Sequence, residues 1–257
     1  MLFQIKSYLK FLWKSTNQHG VHSPFVYDLV TKCFYDLKLK PEYKILKNYR
    51  KILLKNNKEI EVTDFGAGSK VFSSTRRQIS SIAETAGISS ERAVLLFRIT
   101  RYFQSQNILE LGTSLGLATS AMALGSIKSK IITLEGCPET AKIAQAQFKN
   151  FELDNVDLVI GEFATYLKNP IHKSFQLIYF DGNHKKETTL LYFKSLLSTV
   201  DNDTVWIFDD IHWSPEMEEA WEVIIKNSHV TVSIDTFQWG IIFFRREQKK
   251  QHFVIRT

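Results

Sequence analysis

The spacing of apolar residues changes part-way along the chain, from a helical rhythm to short apolar runs separated by helical segments. In residues 2–14, Leu2, Ile5, Leu9 and Leu12 fall on one helical face and Lys6, Lys10 and Lys14 on another, which predicts an amphipathic first helix. Its apolar face is expected to pack on its own protein or on a second subunit rather than on a membrane. After "NQHGVH" a second helix should start, because Ser23 suits an N-cap, Pro24 suits the first helical position, and "FVYDLVTKCFYDL" keeps the helical spacing. His19 and His22 flank that cap and read as loop-packing residues, not metal ligands. "SKVFSSTRRQISSIAETAGISS" reads as a polar, basic helix closing at Gly87, and "SERAVLLFRITRYF" as an apolar-striped helix capped by Ser90.

Then come "NILEL", "KIITLE", "NVDLVIG", "FQLIYFD", "TVWIFDD", "HVTVSID" and "GIIFFRR". Up to the fifth they alternate with segments of helical character, such as "TAKIAQAQFKN" and "ETTLLYFKSLL". Strands that are apolar on both faces and separated by helices belong to a parallel sheet covered on both sides. The last two runs are joined by a short link containing Gly240 and should pair antiparallel. The expected class is α/β: a Rossmann-like, doubly wound, seven-stranded sheet with the last strand antiparallel, behind an N-terminal helical extension.

Composition narrows this little. At 257 residues, 44% hydrophobic and 23% charged, the chain can bury a full core. Cys33 and Cys137 are too few and too distant for a disulfide scaffold or a CxxC metal site. No stretch reaches the length of a membrane span, and the N-terminus lacks a cleavage pattern, so a cytoplasmic protein is expected. A net charge of +6 permits an anionic partner, but the cations are spread along the chain, and charge alone does not make an RNA binder.

Two glycine-containing loops compete for a nucleotide-type ligand, "EVTDFGAGSK" at 61–70 and "NILELGTSLGLATSAMA" at 107–123. In a Rossmann-like unit the next strand ends in an acidic residue about 20 residues beyond the glycines, where it can accept from ribose hydroxyls. Glu135 closes "KIITLE" 23 residues beyond Gly112, whereas the same count from Gly66 lands in a helical stretch with no strand before it. The second loop is therefore the ligand loop. The first is expected to be an accessory turn leading to Lys70, Arg76 and Arg77. "GTSLG" lacks the G-x-G-x-x-G of diphosphate binders, and Glu110 before it suits a ligand carrying an ammonium group.

"LELGTSLGLATSAMA", "IITLEG", "LIYFDGNH" and "WIFDDIHWS", in that order, resemble class I S-adenosylmethionine-dependent methyltransferases, in their metal-dependent O-methyltransferase branch. The glycine loop is similar to that of catechol O-methyltransferase, and "DGNH" to antibiotic and macrolide tailoring O-methyltransferases. "HGVHSPFV" and "DDIHWS" resemble uncharacterised bacterial proteins. The resemblance implies residues 1–89 as a helical accessory region for lid, acceptor or oligomer contacts, and residues 90–257 as the S-adenosylmethionine-binding domain. It implies that Glu110, Gly112, Thr113, Ser114 and Gly116 surround the methionine part, that Glu135 holds the ribose, and that Gly161, Glu162 and Phe163 lie at the adenine, with Asp181 also at the cofactor.

Asp181, Asp209 and Asp210 end the fourth and fifth strand runs, where doubly wound sheets place their sites. Carboxylates converging there would need a cation, and hard oxygen ligands favour magnesium or manganese over zinc. The resemblance assigns all three to that metal; the alternative is that Asp209 and Asp210 are solvated turn residues or helix caps. His184 follows Asp181 by three residues and would share its side if "GNHKK" began a helical turn. The related tailoring enzymes imply a general base there. His212 and Trp213 are expected to shape an acceptor pocket. The activity implied is metal-assisted O-methylation of a small molecule, with an anionic acceptor and a homodimer as further expectations. An O-methyltransferase acting on RNA and a non-catalytic binding protein of the same fold are the alternatives.

Overall fold

The computed structural model describes residues 2–63, 74–168 and 174–257. The glycine stretch at 64–70, with Lys70, lies outside them. The chain divides into two compact units, Asp36–Tyr166 and Met1–Tyr35 with Leu167–Thr257, so the region 1–89 is shared between them.

In the unit Asp36–Tyr166, α3 (Glu42–Leu54) follows the helices of the other unit, and β1 (Glu59–Glu61) pairs antiparallel with β2 (Arg76–Gln78). This corrects the described part of the helix expected from residue 69 to Gly87: Arg76 and Arg77 are strand residues, and helix α4 covers Ile79–Thr85. Glu61 faces Arg76 across the ladder, and opposite charges in such pairs favour the strand. The next helix, α5 (Ser90–Phe103), is capped by Ser89, whose hydroxyl accepts from the Arg92 amide at 3.2 Å; Ser90 is its first residue, not its cap.

Beyond α5 the expected alternation is present: β3 (Asn107–Leu111), α6 (Leu117–Gly125), β4 (Lys130–Glu135), α7 (Pro138–Asn150), β5 (Val156–Ile160) and α8 (Phe163–Lys168), which runs to the end of the unit and just past it. β3, β4 and β5 pair in parallel in that order. The centre is buried as a two-faced strand should be, with Ile108, Leu109 and Leu111 almost fully enclosed.

The other unit contains α1 (Leu2–Lys14), α2 (Pro24–Leu29), β6 (Leu177–Phe180), α9 (Lys186–Leu196), β7 (Val205–Asp209), α10 (Pro215–Lys226), β8 (Val232–Asp235), β9 (Trp239–Phe243) and β10 (Gln251–Val254). Its strands lie in the order β10-β8-β9-β7-β6. Only β9 runs antiparallel to its neighbours β7 and β8; β6 with β7, and β8 with β10, are parallel. All seven runs read as strands are strands, the last of them antiparallel, and the class is the expected Rossmann-like α/β. β10 is an eighth strand, formed by residues whose role as strand or tail the sequence left open. Gly240 does not make the β8–β9 link. It sits within β9, where a Cβ would come within 2.5 Å of the Trp221 ring, while Phe237 takes the left-handed turn position at φ 74°.

The "HGVHSPF" segment is an anchor. Ser23 caps α2 as expected, and its helix continues as a wider π-type turn over Val30–Phe34. Thr16 bonds to the backbone of Val254 and Arg256, the Tyr35 hydroxyl donates to the Arg256 carbonyl at 2.7 Å, and the Arg245 guanidinium lies 4.4 Å from the Phe25 ring centre.

Candidate functional site

The glycine loop follows directly from the end of β3. Gly112 and Gly116 take positive φ of 111° and 78°, and Ser114 joins them at 49°. A Cβ on Gly116 would lie 2.5 Å from both Phe148 and the Tyr49 hydroxyl, so glycine is required there by backbone angle and by space. Tyr49, fully buried on α3, donates its hydroxyl to the Leu115 carbonyl at 2.9 Å and so props the loop from below.

Four of the loop's amides are engaged. Those of Gly112 and Thr113 donate to the Leu134 carbonyl, that of Gly116 to Thr113, and that of Ser114 to Glu135 Oε2 at 2.6 Å. A diphosphate needs free amides at this point, so the loop suits a ligand without one.

Two carboxylates flank it. Glu110 is completely buried; its Oε2 accepts from Thr119 at 2.5 Å and Thr133 at 2.6 Å, while Oε1 has no hydrogen-bond partner. Burial pushes its carboxyl up to about 7, with those hydroxyls opposing and nearby Glu135 adding to the rise. A buried acceptor left without a donor is costly, and a cationic donor from a ligand would satisfy it. Thr113 completes this group through a 2.5 Å contact between its hydroxyl and that of Thr133.

Glu135 accepts one amide on each oxygen, from Ser114 and, at 2.8 Å on Oε1, from Cys137. Burial raises its pKa and these amides hold it back. An ionised carboxylate has about four acceptor directions, the kind of group that takes ribose hydroxyls. Gly161 ends β5 with its amide on the Glu135 carbonyl; a Cβ there would meet nothing within 4 Å. Glu162 is exposed and Phe163 half-buried at the start of α8. These residues fit S-adenosylmethionine in kind: an unmet acceptor for its ammonium, a carboxylate at the end of β4 for its ribose, and open space beside Gly161.

Asp181 and His184 lie in the other unit, after β6. The helical turn expected for "GNHKK" is absent: Asn183 and His184 take positive φ, and α9 starts only at Lys186. This loop nevertheless brings His184 Nε2 to 3.6 Å from Asp181 Oδ1, an ion-pair distance just beyond hydrogen bonding.

A metal at the three aspartates is not shown. Asp209 is buried, and each oxygen accepts a hydrogen bond, Oδ2 from the Tyr179 hydroxyl and Oδ1 from the Asp210 amide, each at 2.8 Å. Asp210 takes a left-handed turn at φ 55°, which re-aims the chain after β7. Among the described residues no group of three or more His, Cys, Asp or Glu side chains is placed to hold a metal ion.

His212 belongs to a buried polar cluster. Its Nε2 lies 2.9 Å from Asp235 and its Nδ1 3.2 Å from Glu218, and its ring stacks on Phe237. Burial opposes its charge, but these carboxylates outweigh that effect and raise its pKa. Glu218 in turn accepts from Ser7 and Lys10 of α1. Nothing in the sequence pattern signalled this cluster, because its members come from four separate segments.

Residues 109–211 match a family described as a methyltransferase domain. These residues are similar to that domain over the glycine loop and four of the strands. The chain has the class I fold that the four motifs resemble. Over 126 residues it is 24% identical to a catechol O-methyltransferase of Mycobacterium tuberculosis, covering 48% of this chain and 56% of that enzyme, so the chain spans little more than half the length of that curated relative. Among solved structures, a SAH-bound methyltransferase from Podospora anserina superposes with a TM-score of 0.62 at 15% identity, over 88% of this chain and 97% of that one. TomG of Streptomyces achromogenes, an O-methyltransferase in tomaymycin synthesis solved with SAM, gives 0.58 at 14%, over 84% and 95%. A SAH complex of an O-methyltransferase from Bacillus cereus gives 0.55 at 17%, over 82% and 94%. At these identities the structures establish the fold of the methyltransferase domain.

Proposed function

We propose that this protein moves the methyl group of S-adenosylmethionine to a hydroxyl oxygen of a small molecule. The observation that carries the reading is Glu110 at the glycine loop, whose buried Oε1 no donor meets, with the Glu135 carboxylate nearby. The family match and the O-methyltransferases among its relatives support the transfer to oxygen.

When bound, S-adenosylmethionine supplies an electrophilic methyl on a sulfonium. Glu110 would hold the ammonium through Oε1, and Glu135 the ribose hydroxyls. Gly112 to Gly116 would give the methionine part a wall shaped by left-handed backbone, and Gly161, Glu162 and Phe163 would border the adenine. His184 would take the proton of the acceptor hydroxyl. With Nε2 turned to Asp181, Nδ1 is the nitrogen left for that task, and the Asp181 carboxylate would stabilise the imidazolium that forms. Residues 1–89 would serve as an accessory region. The reading does not rest on a divalent cation.

The test is calorimetric titration with S-adenosylhomocysteine. Glu135→Ala should weaken binding by roughly 1.5 to 3 kcal/mol, the scale of hydrogen bonds to a charged group. An unchanged affinity in a folded variant would remove the cofactor assignment.

A further inference from the structure

The first helix turns its apolar face outward. Leu2, Ile5, Leu9 and Trp13 are exposed, Trp13 to 85%, and Tyr8 and Leu12 widen the strip. The side that packs on the protein carries Ser7 and Phe11, held by the Glu218 contacts and by Phe237. Of the two expected occupants, its own protein or a second subunit, the first does not cover this face, which needs another occupant.

We infer that α1 binds the surface of an anionic membrane through this face. The helix contains no acidic residue, and Lys6 and Lys14 stand exposed along one flank of the apolar strip, with Lys10 between them pinned to Glu218. An apolar strip bordered by lysines and an interfacial tryptophan is the arrangement of helices that lie in the plane of a lipid surface. The leucines enter the acyl boundary while the ammonium groups stay at the phosphates. The net charge of +6 adds attraction to an anionic leaflet. With 13 residues the helix lies on a bilayer and does not cross it. A second copy of the chain is the weaker occupant. The strip is about 20 Å long, and pairing it alone would bury roughly 300 Å² per partner, against about 800 Å² for a stable interface.

The experiment uses the full chain with vesicles of phosphatidylcholine alone or mixed with phosphatidylglycerol. The protein should sediment with the anionic vesicles and not with the neutral ones, release with rising salt, and show a blue shift of tryptophan emission that Trp13→Phe removes. Replacing Ile5, Leu9 and Trp13 together by glutamine should reduce binding more than tenfold, as should Lys6→Glu with Lys14→Glu. All five positions are exposed, so the melting temperature should hold and exclude misfolding as the cause. The inference is overturned by absence of binding to either vesicle, by equal binding to both, or by undiminished binding of the glutamine variant. It is equally overturned if the chain is a dimer that the glutamine variant dissociates while no vesicle binds, since the second copy would then be the occupant.

Discussion

In the unit Asp36–Tyr166 Glu110 keeps unused capacity, with one buried oxygen that no donor meets. In the other unit each oxygen of Asp209, at the end of strand β7, accepts a hydrogen bond, from Tyr179 and from Asp210, and His184 lies 3.6 Å from Asp181. The same strand-end position thus leaves an acceptor unmet in one place and met in the other. What separates them is the donors supplied by neighbours, not the acidic residue.

The hardest test of this contrast removes the one reactive pairing in the second unit. His184→Ala should lower kcat by roughly 10²- to 10⁴-fold, the usual worth of a general base, and leave S-adenosylhomocysteine affinity unchanged. Asp181→Asn should cost less. A kcat within threefold of the parent would reduce the pair to a loop contact.

Next in size is the cluster around His212. His212→Gln would leave Asp235 and Glu218 facing without their shared cation, for a loss of about 1 to 3 kcal/mol in chemical denaturation. Because the folded pKa is raised above the ordinary 6.5, the stabilisation should be complete below that pH and fade as pH rises through the folded value. A variant as stable as the parent at pH 6 would show that the contacts are energetically idle.

The first unit offers a subtler pH effect. A carboxyl that titrates near 7 when folded and near 4.5 when unfolded binds more protons in the fold, so stability falls as pH rises between those values. A cationic ligand group at Oε1 favours the ionised form. S-adenosylhomocysteine should therefore bind more tightly as pH rises from 6 to 8, by up to about tenfold, and Glu110→Gln should flatten the profile. A parent profile already flat would detach Glu110 from the ligand.

Much of the first unit was legible because its logic runs along the chain. The distance from Gly112 to Glu135 is one loop, one helix and one strand, so spacing fixes geometry, and the seven apolar runs fixed the strands. Where positions depend on partners from distant segments, the pattern was silent: Tyr49 under Gly116, Thr119 and Thr133 around Glu110, Tyr179 against Asp209, and Lys10 and Glu218 with His212. The outward turn of α1 belongs with these. Amphipathicity showed that the helix has two faces, but Ser7 and Phe11 decide which one the protein keeps, and they are the less conspicuous pair.

The smallest effect expected is none. If Asp181, Asp209 and Asp210 formed a cluster of charges, a divalent ion would bind the fold and not the unfolded chain, and magnesium would raise the melting temperature by mass action. Each oxygen of Asp209 already accepts one hydrogen bond, from Tyr179 and Asp210, and these donors stabilise its charge without a cation. Millimolar magnesium or manganese should therefore leave the melting temperature of the parent and of Asp181→Asn alike. Tyr179→Phe frees one oxygen of Asp209 and is the variant in which a response to metal should first emerge. A rise of several degrees in the parent that Asp181→Asn abolishes would mean that these strand ends rearrange around an ion, and the contrast between the two units would fall.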